Sequence, residues 1–122
     1  LIMIKILGGN KKFAVIFTIL IALEIFLVSS IPGSTISSGP DFSILYHFIS
    51  FFLLGLFFLI SVKDKKKVIG KNLLLVLAIL LVYAILDELH QFFVPLRTPD
   101  VADFLVDSAG IFLSTFLYKY FN

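Results

Sequence analysis

The run Leu86-Asp87-Glu88-Leu89-His90-Gln91-Phe92-Phe93-Val94-Pro95-Leu96-Arg97-Thr98-Pro99-Asp100-Val101-Ala102-Asp103, continuing through Asp107 to Gly110, gathers five carboxylates, a histidine and an arginine. Side chains of these types support three kinds of chemistry. Neighbouring carboxylates with an imidazole can pass protons, because crowded acids need not all ionise together. The same oxygens and nitrogens are the donors a divalent cation takes. A guanidinium beside them can grip a phosphate or carboxylate through two parallel hydrogen bonds.

The surroundings make this cluster unusual. Of the 122 residues, 60% are hydrophobic and 15% charged, and the mean hydropathy is +1.11. A water-soluble domain of this size would expose too much apolar surface. The chain therefore reads as an all-α membrane protein, a single domain over 1–122. Ionisable groups inside hydrocarbon are costly unless paired or hydrated, and mark function by default. There are no cysteines, so disulfides and thiolate metal sites are excluded.

Four apolar stretches, 13–31, 44–62, 73–94 and 101–118, are each long enough to span a bilayer with some tilt or thinning. The third and fourth reach that length only by taking polar residues into their outer turns. The first follows Lys5, Lys11 and Lys12, as a signal peptide would. Its apolar run is too long for that role, and 29–32 lacks a small-x-small cleavage pattern, so it reads as a retained span.

Four spans place nine of the ten basic residues on one side: Lys5, Lys11, Lys12, Lys63, Lys65, Lys66, Lys67, Lys71 and Lys119. Arg97 alone falls on the other. The positive-inside rule then predicts both termini in the cytoplasm of a multi-pass cell-membrane protein, with loops 32–43 and 95–100 facing outward. The lysines of 63–71 read as a cytoplasmic anchor for anionic lipid, and nucleic-acid binding is not expected.

Within this topology Pro95 ends the third helix, and Thr98 and Pro99 suit the N-cap and first position of the fourth. Asp100 and Asp103 then fall where a helix N-terminus favours carboxylates. Asp107 is a turn deeper. Asp100, Asp103, Asp107, Gly110 and Ser114 share a stripe of roughly 80°, which should face another helix. Asp87, Glu88, His90 and Gln91 spread over about 160° of the third helix, so the polar faces of the third and fourth helices are expected to meet. His47 lies a turn below the outer end of the second span. Glu24, about 10 Å below that of the first, is expected to pair with His47 or Ser29, or to serve as an acid. Arg97 can pair with Asp100 or bind a ligand. Gly110 is expected to permit close helix approach.

These residues resemble the VanZ-like family of small membrane proteins. The family pattern falls on Asp87, Glu88, Gln91, Phe92, Val94, Pro95, Arg97, Asp103, Asp107 and Gly110. Upstream, Ser30-Ile31-Pro32-Gly33 closes the first span, and His47-Phe48 through Leu54-Gly55 matches the family's second helix. Two departures stand out. Ser43-Ile44 occupies the place of an Asp-Lys pair, with Asp41 the nearest acid, and Asp107 replaces a usual Asn. The resemblance implies an association with tolerance to glycopeptide antibiotics such as teicoplanin, and brings no agreed reaction.

The functional cluster expected from the sequence is His47, Asp87, Glu88, Gln91, Arg97, Asp103 and Asp107, with Glu24 and His90 secondary. The foremost expectation is recognition at the outer face of a polar lipid, a lipid-linked envelope precursor or an amphiphilic antibiotic. An enzyme acting on a lipid-linked substrate is the alternative; the chain carries no zincin, phosphatase or triad spacing. A proton-coupled carrier would need oligomerisation to enclose a path, and the inner half lacks polar residues to line one. No cofactor is predicted. A divalent ion, if held, would take Asp87, Glu88, Asp103 and Asp107, with His47 and His90 in reach.

Overall fold

The computed structural model describes residues 10–32, 40–63 and 67–121. Lys5, Gly33, Lys65 and Lys66 lie outside the described residues, as does the side chain of Asp41. Four helices follow one another: α1 (Lys11–Ser29), α2 (Pro40–Val62), α3 (Gly70–Gln91) and α4 (Val101–Phe121). All four are long and apolar enough to cross a membrane. Their outer surfaces match that environment, with Phe13, Leu20, Ile49, Leu75, Val82 and Phe112 all exposed. In water such side chains would be buried; facing lipid they need no partner.

The ends of the helices follow local chemistry. Asn10 caps α1, its side chain accepting from Phe13 N–H at 3.4 Å. Proline at the first position of α2 forfeits an N–H that no helix would have used. The third helix stops short of the expected 94. Beyond Gln91 the N–H groups of Phe92, Phe93 and Val94 donate three residues back, to Leu89, His90 and Gln91, at 3.1, 3.0 and 3.2 Å. The chain tightens there because Pro95 denies helical geometry to its predecessor.

The expected cap of the fourth helix is also corrected. Asp100, rather than Thr98, is the capping residue: its Oδ1 accepts from Ala102 N–H at 2.9 Å, and α4 starts at Val101. A turn over 94–97 sets this start, with Arg97 N–H donating to the Val94 carbonyl at 3.2 Å and Leu96 at φ 58°. Proline followed by a positive φ is the pattern of a type II turn.

The closest packing joins α2 to α4. His47 meets Asp107 near the start of both helices and Gly55 meets Ser114 further along, so the two run side by side in the same direction. Small residues set that proximity. A Cβ on Gly110 would lie 2.6 Å from the Phe48 carbonyl oxygen and 2.9 Å from Phe52 N, and one on Gly55 would collide with Ser114 Oγ. In lipid, where burial of apolar surface gains nothing, close van der Waals contact of this kind holds helices together. Phe51, Leu59, Ile111 and Tyr118 fill the seam. α1 packs on the other side of α2, and α3 closes against α4.

Lys67 Nζ donates to the Lys119 carbonyl, and Tyr118 Oη accepts from Val68 N–H at 3.1 Å, tying the α2–α3 connection to the end of α4. The described lysines thus lie at one end of the bundle. The carboxylates of 87–107 lie at the other.

Candidate functional site

Four helix termini converge at that second end. α1 contributes Ser29 in its last turn, α2 contributes His47, α3 contributes Asp87, Glu88 and Gln91, and α4 contributes Asp103 and Asp107. Asp107 is fully buried, at 0% exposure, and its Oδ1 lies 2.7 Å from His47 Nδ1, so the ring N–H donates to the carboxylate. The other ring nitrogen, Nε2, is 3.8 Å from Asp103 Oδ2. One imidazole therefore sits between two carboxylates that are one helical turn apart on α4.

Asp87 and Glu88 are held differently. Asp87 Oδ1 accepts from Ser29 Oγ, tying α3 to the end of α1. Glu88 Oε2 accepts from Asp100 N–H at 3.0 Å, satisfying a backbone donor at the mouth of α4. Among the described residues, the second oxygen of each of these carboxylates, with Asp107 as the third acid, is buried with no hydrogen-bond partner: Asp87 Oδ2, Glu88 Oε1 and Asp107 Oδ2. His47, Asp87, Glu88 and Asp107 each offer one donor atom, and these four atoms lie within 4.8 Å of one another.

Above this cluster opens a cleft of about 520 Å³. Ser29, Tyr46, His47, Gln91, Arg97 and Asp103 are among the side chains that line it. Arg97 spans its edge, Nη2 donating to the Val28 carbonyl at 3.1 Å while Nε is buried without an acceptor among the described residues. Among the described residues no carboxylate pairs with this guanidinium, so the expected Arg97–Asp100 pair is not formed; Asp100 is occupied in capping.

The sequence-derived residues thus divide into three groups. His47, Asp87, Glu88 and Asp107 form the buried cluster. Gln91, Arg97 and Asp103 line the cleft with His47. Glu24 and His90 stand apart from both. The Glu24 carboxylate, on the exposed face of α1, accepts from Tyr46 Oη at 2.9 Å and pairs with neither His47 nor Ser29. His90 stacks on Phe26 with ring centroids 4.7 Å apart, and its Nε2 lies 2.8 Å from Ser30 Oγ. Since Ser30 gives its own proton to the Phe26 carbonyl, the imidazole is the donor there.

The donor atoms that lie within 4.8 Å of one another belong to His47, Asp87, Glu88 and Asp107, whereas the sequence expectation for a cation named Asp103 in place of His47. The third and fourth helices meet as expected: Glu88 takes Asp100 N–H, and Asp87 and Glu88 each offer an oxygen within 4.8 Å of one from Asp107. The hydrogen bond of Asp107 goes to α2, since Gly110, one turn on, brings α4 against Phe48. Tyr46 was missed from sequence, although it adjoins His47 and packs edge-on against it at 5.9 Å. Its position beside the histidine was the available signal.

No curated protein and no solved structure matches the chain. A family model described as VanZ/LLP1 matches residues 13–122, which takes in all four helices, the cluster and the cleft. The chain is a multi-pass membrane protein and belongs to the VanZ/LLP1 family.

Proposed function

We propose that the chain recognises the anionic head of an amphiphile in the cleft above the cluster, at the outer face of the cell membrane. The observation that carries this is Arg97, a guanidinium lining a cleft of about 520 Å³ that has, among the described residues, one backbone acceptor and no carboxylate partner. Such a group, flanked by Gln91, Ser29 and Tyr46 as neutral hydrogen-bonding side chains, suits a phosphate or carboxylate. The apolar exterior of the bundle leaves the rest of an amphiphile in lipid. The separation of lysines from the cleft supports an outward-facing cleft and cytoplasmic termini.

Candidate ligands are a phospholipid, a lipid-linked envelope precursor and a glycopeptide antibiotic, the last supplying the family's link to teicoplanin tolerance. They are distinguished by titrating the full chain in phosphatidylcholine nanodiscs with phosphatidylglycerol, a polyprenyl pyrophosphate and teicoplanin. Arg97→Ala is expected to weaken the one that binds. Unchanged binding by this variant refutes the proposal.

One observation favours catalysis as a second reading. His47 lines the cleft with one ring nitrogen on Asp107 and the other toward Asp103, an orientation suited to proton transfer. Mass spectrometry of the polyprenyl pyrophosphate after incubation tests it, and an unaltered lipid argues against an enzyme.

A further inference from the structure

We infer that the buried cluster beneath the cleft is a site for one divalent cation of the first transition row, with Mn²⁺ the best match and Zn²⁺ the next, held by His47, Asp87, Glu88 and Asp107. These four side chains come from α2, α3 and α4, and each is more than nine-tenths buried. They offer donor atoms within 4.8 Å of one another. Opposite donors around an ion at 2.0–2.2 Å stand roughly 4.2 Å apart, so binding draws the cluster in by about half an ångström.

Proximity of acids alone does not specify an ion. The second observation is that, among the described residues, three buried oxygens, Asp87 Oδ2, Glu88 Oε1 and Asp107 Oδ2, have no hydrogen-bond partner, while the opposite oxygen of each carboxylate is already fixed. Asp87 Oδ1 takes the Ser29 hydroxyl, Glu88 Oε2 takes Asp100 N–H, and Asp107 Oδ1 takes His47. Leaving such groups buried and unmatched is expensive. A cation satisfies all three at once and offsets their charge, which a single imidazolium does not.

The hydroxyl and backbone donors then act as the outer partners that orient metal-binding carboxylates. Three oxygens and one imidazole nitrogen suit ions that accept both donor types, and exclude soft ions that need thiolates. The site lies directly beneath the cleft, and His47 belongs to both. A bound ion would add a second positive centre to Arg97 without depending on the head-group proposal.

The test uses the full chain in phosphatidylcholine nanodiscs, free of anionic lipid, so that it is independent of head-group binding. Mn²⁺ uptake is read by electron paramagnetic resonance during titration, with Zn²⁺ as competitor and elemental analysis after chelator washing. The expected result is about one ion per chain, with affinity reduced at least on the order of tenfold in Asp107→Asn and Glu88→Gln. Both variants keep an acceptor oxygen for their existing bonds, and retained helicity shows that they fold; Glu88→Gln decides the question if Asp107→Asn does not. Glu24→Gln, outside the cluster, should bind as wild type. Failure of the wild-type chain to bind Mn²⁺ or Zn²⁺ overturns the inference, as does equal binding by the folded cluster variants.

Discussion

Gly110→Ala adds one methyl group where the α2 backbone leaves no room for it. The new carbon would lie 2.6 Å from the Phe48 carbonyl oxygen and 2.9 Å from Phe52 N, both backbone atoms that cannot rotate away. Restoring an ordinary contact of about 3.4 Å moves the helices apart by roughly 0.8 Å at this point. A gap of that size forfeits a quarter to a half of the dispersion energy of each contact along the seam. The seam includes Phe51, Leu59, Ile111 and Tyr118, all buried. Overpacking of this kind costs about 1–3 kcal/mol, and the upper end is expected because backbone, rather than side chain, must yield. One turn away, the 2.7 Å bond between His47 and Asp107 should lengthen.

Reversible unfolding in mixed micelles measures the stability. The imidazole proton resonance of His47, shifted by hydrogen bonding, reports the bond. Gly70→Ala is the control: nothing lies within 4 Å, but φ is +59°, so it should incur backbone strain while leaving the His47 resonance unmoved. A Gly110→Ala protein as stable as wild type, with an unshifted His47 resonance, would refute the claim that this glycine sets the α2–α4 distance.

Three further outcomes are expected. His47→Ala strips fully buried Asp107 of its hydrogen-bond donor and should cost about 3–5 kcal/mol in the same unfolding assay, whereas the paired change His47→Leu with Asp107→Leu should recover most of it. Ser29→Ala removes the donor to buried Asp87 and should cost about 1–3 kcal/mol; Glu24→Gln, exposed and retaining an acceptor for Tyr46, should cost under about 0.5 kcal/mol. Leu96→Val puts a β-branched side chain at a positive φ and should destabilise the turn by about 1–3 kcal/mol, read as faster amide exchange at Arg97 N–H, while Leu96→Gly should not.

The helices and their polar end were legible in the sequence for a direct physical reason. A bilayer demands long apolar runs, so four of them with a few misplaced charges define both the spans and the residues that need explaining. Asp87, Glu88 and Asp107 could be singled out because nothing else on their helices is charged at that depth. Partner choice was less legible. The short connection between the third and fourth spans argued for their pairing, yet Asp107 meets His47. That pairing follows from Gly110 and Gly55, whose significance depends on which backbone lies opposite. Glu24 illustrates the same gap: it shared the outer half of the bundle with His47, but its direction around α1 sends it to Tyr46. The cap of the fourth helix was misread where two signals competed, at Thr98 and Asp100, because an Asp side chain in the capping position outweighs a Pro one residue before it.

The central claim is that the cleft edge at Arg97, and not the lysine-rich end, captures an anionic head group. Native mass spectrometry of the full chain released from nanodiscs of mixed phosphatidylcholine and phosphatidylglycerol tests it most directly. Retention of phosphatidylglycerol by the wild-type protein and by Lys71→Ala, with loss on the order of tenfold in Arg97→Ala, is the predicted result. Equal retention by Arg97→Ala and wild type, or loss confined to Lys71→Ala, would contradict it.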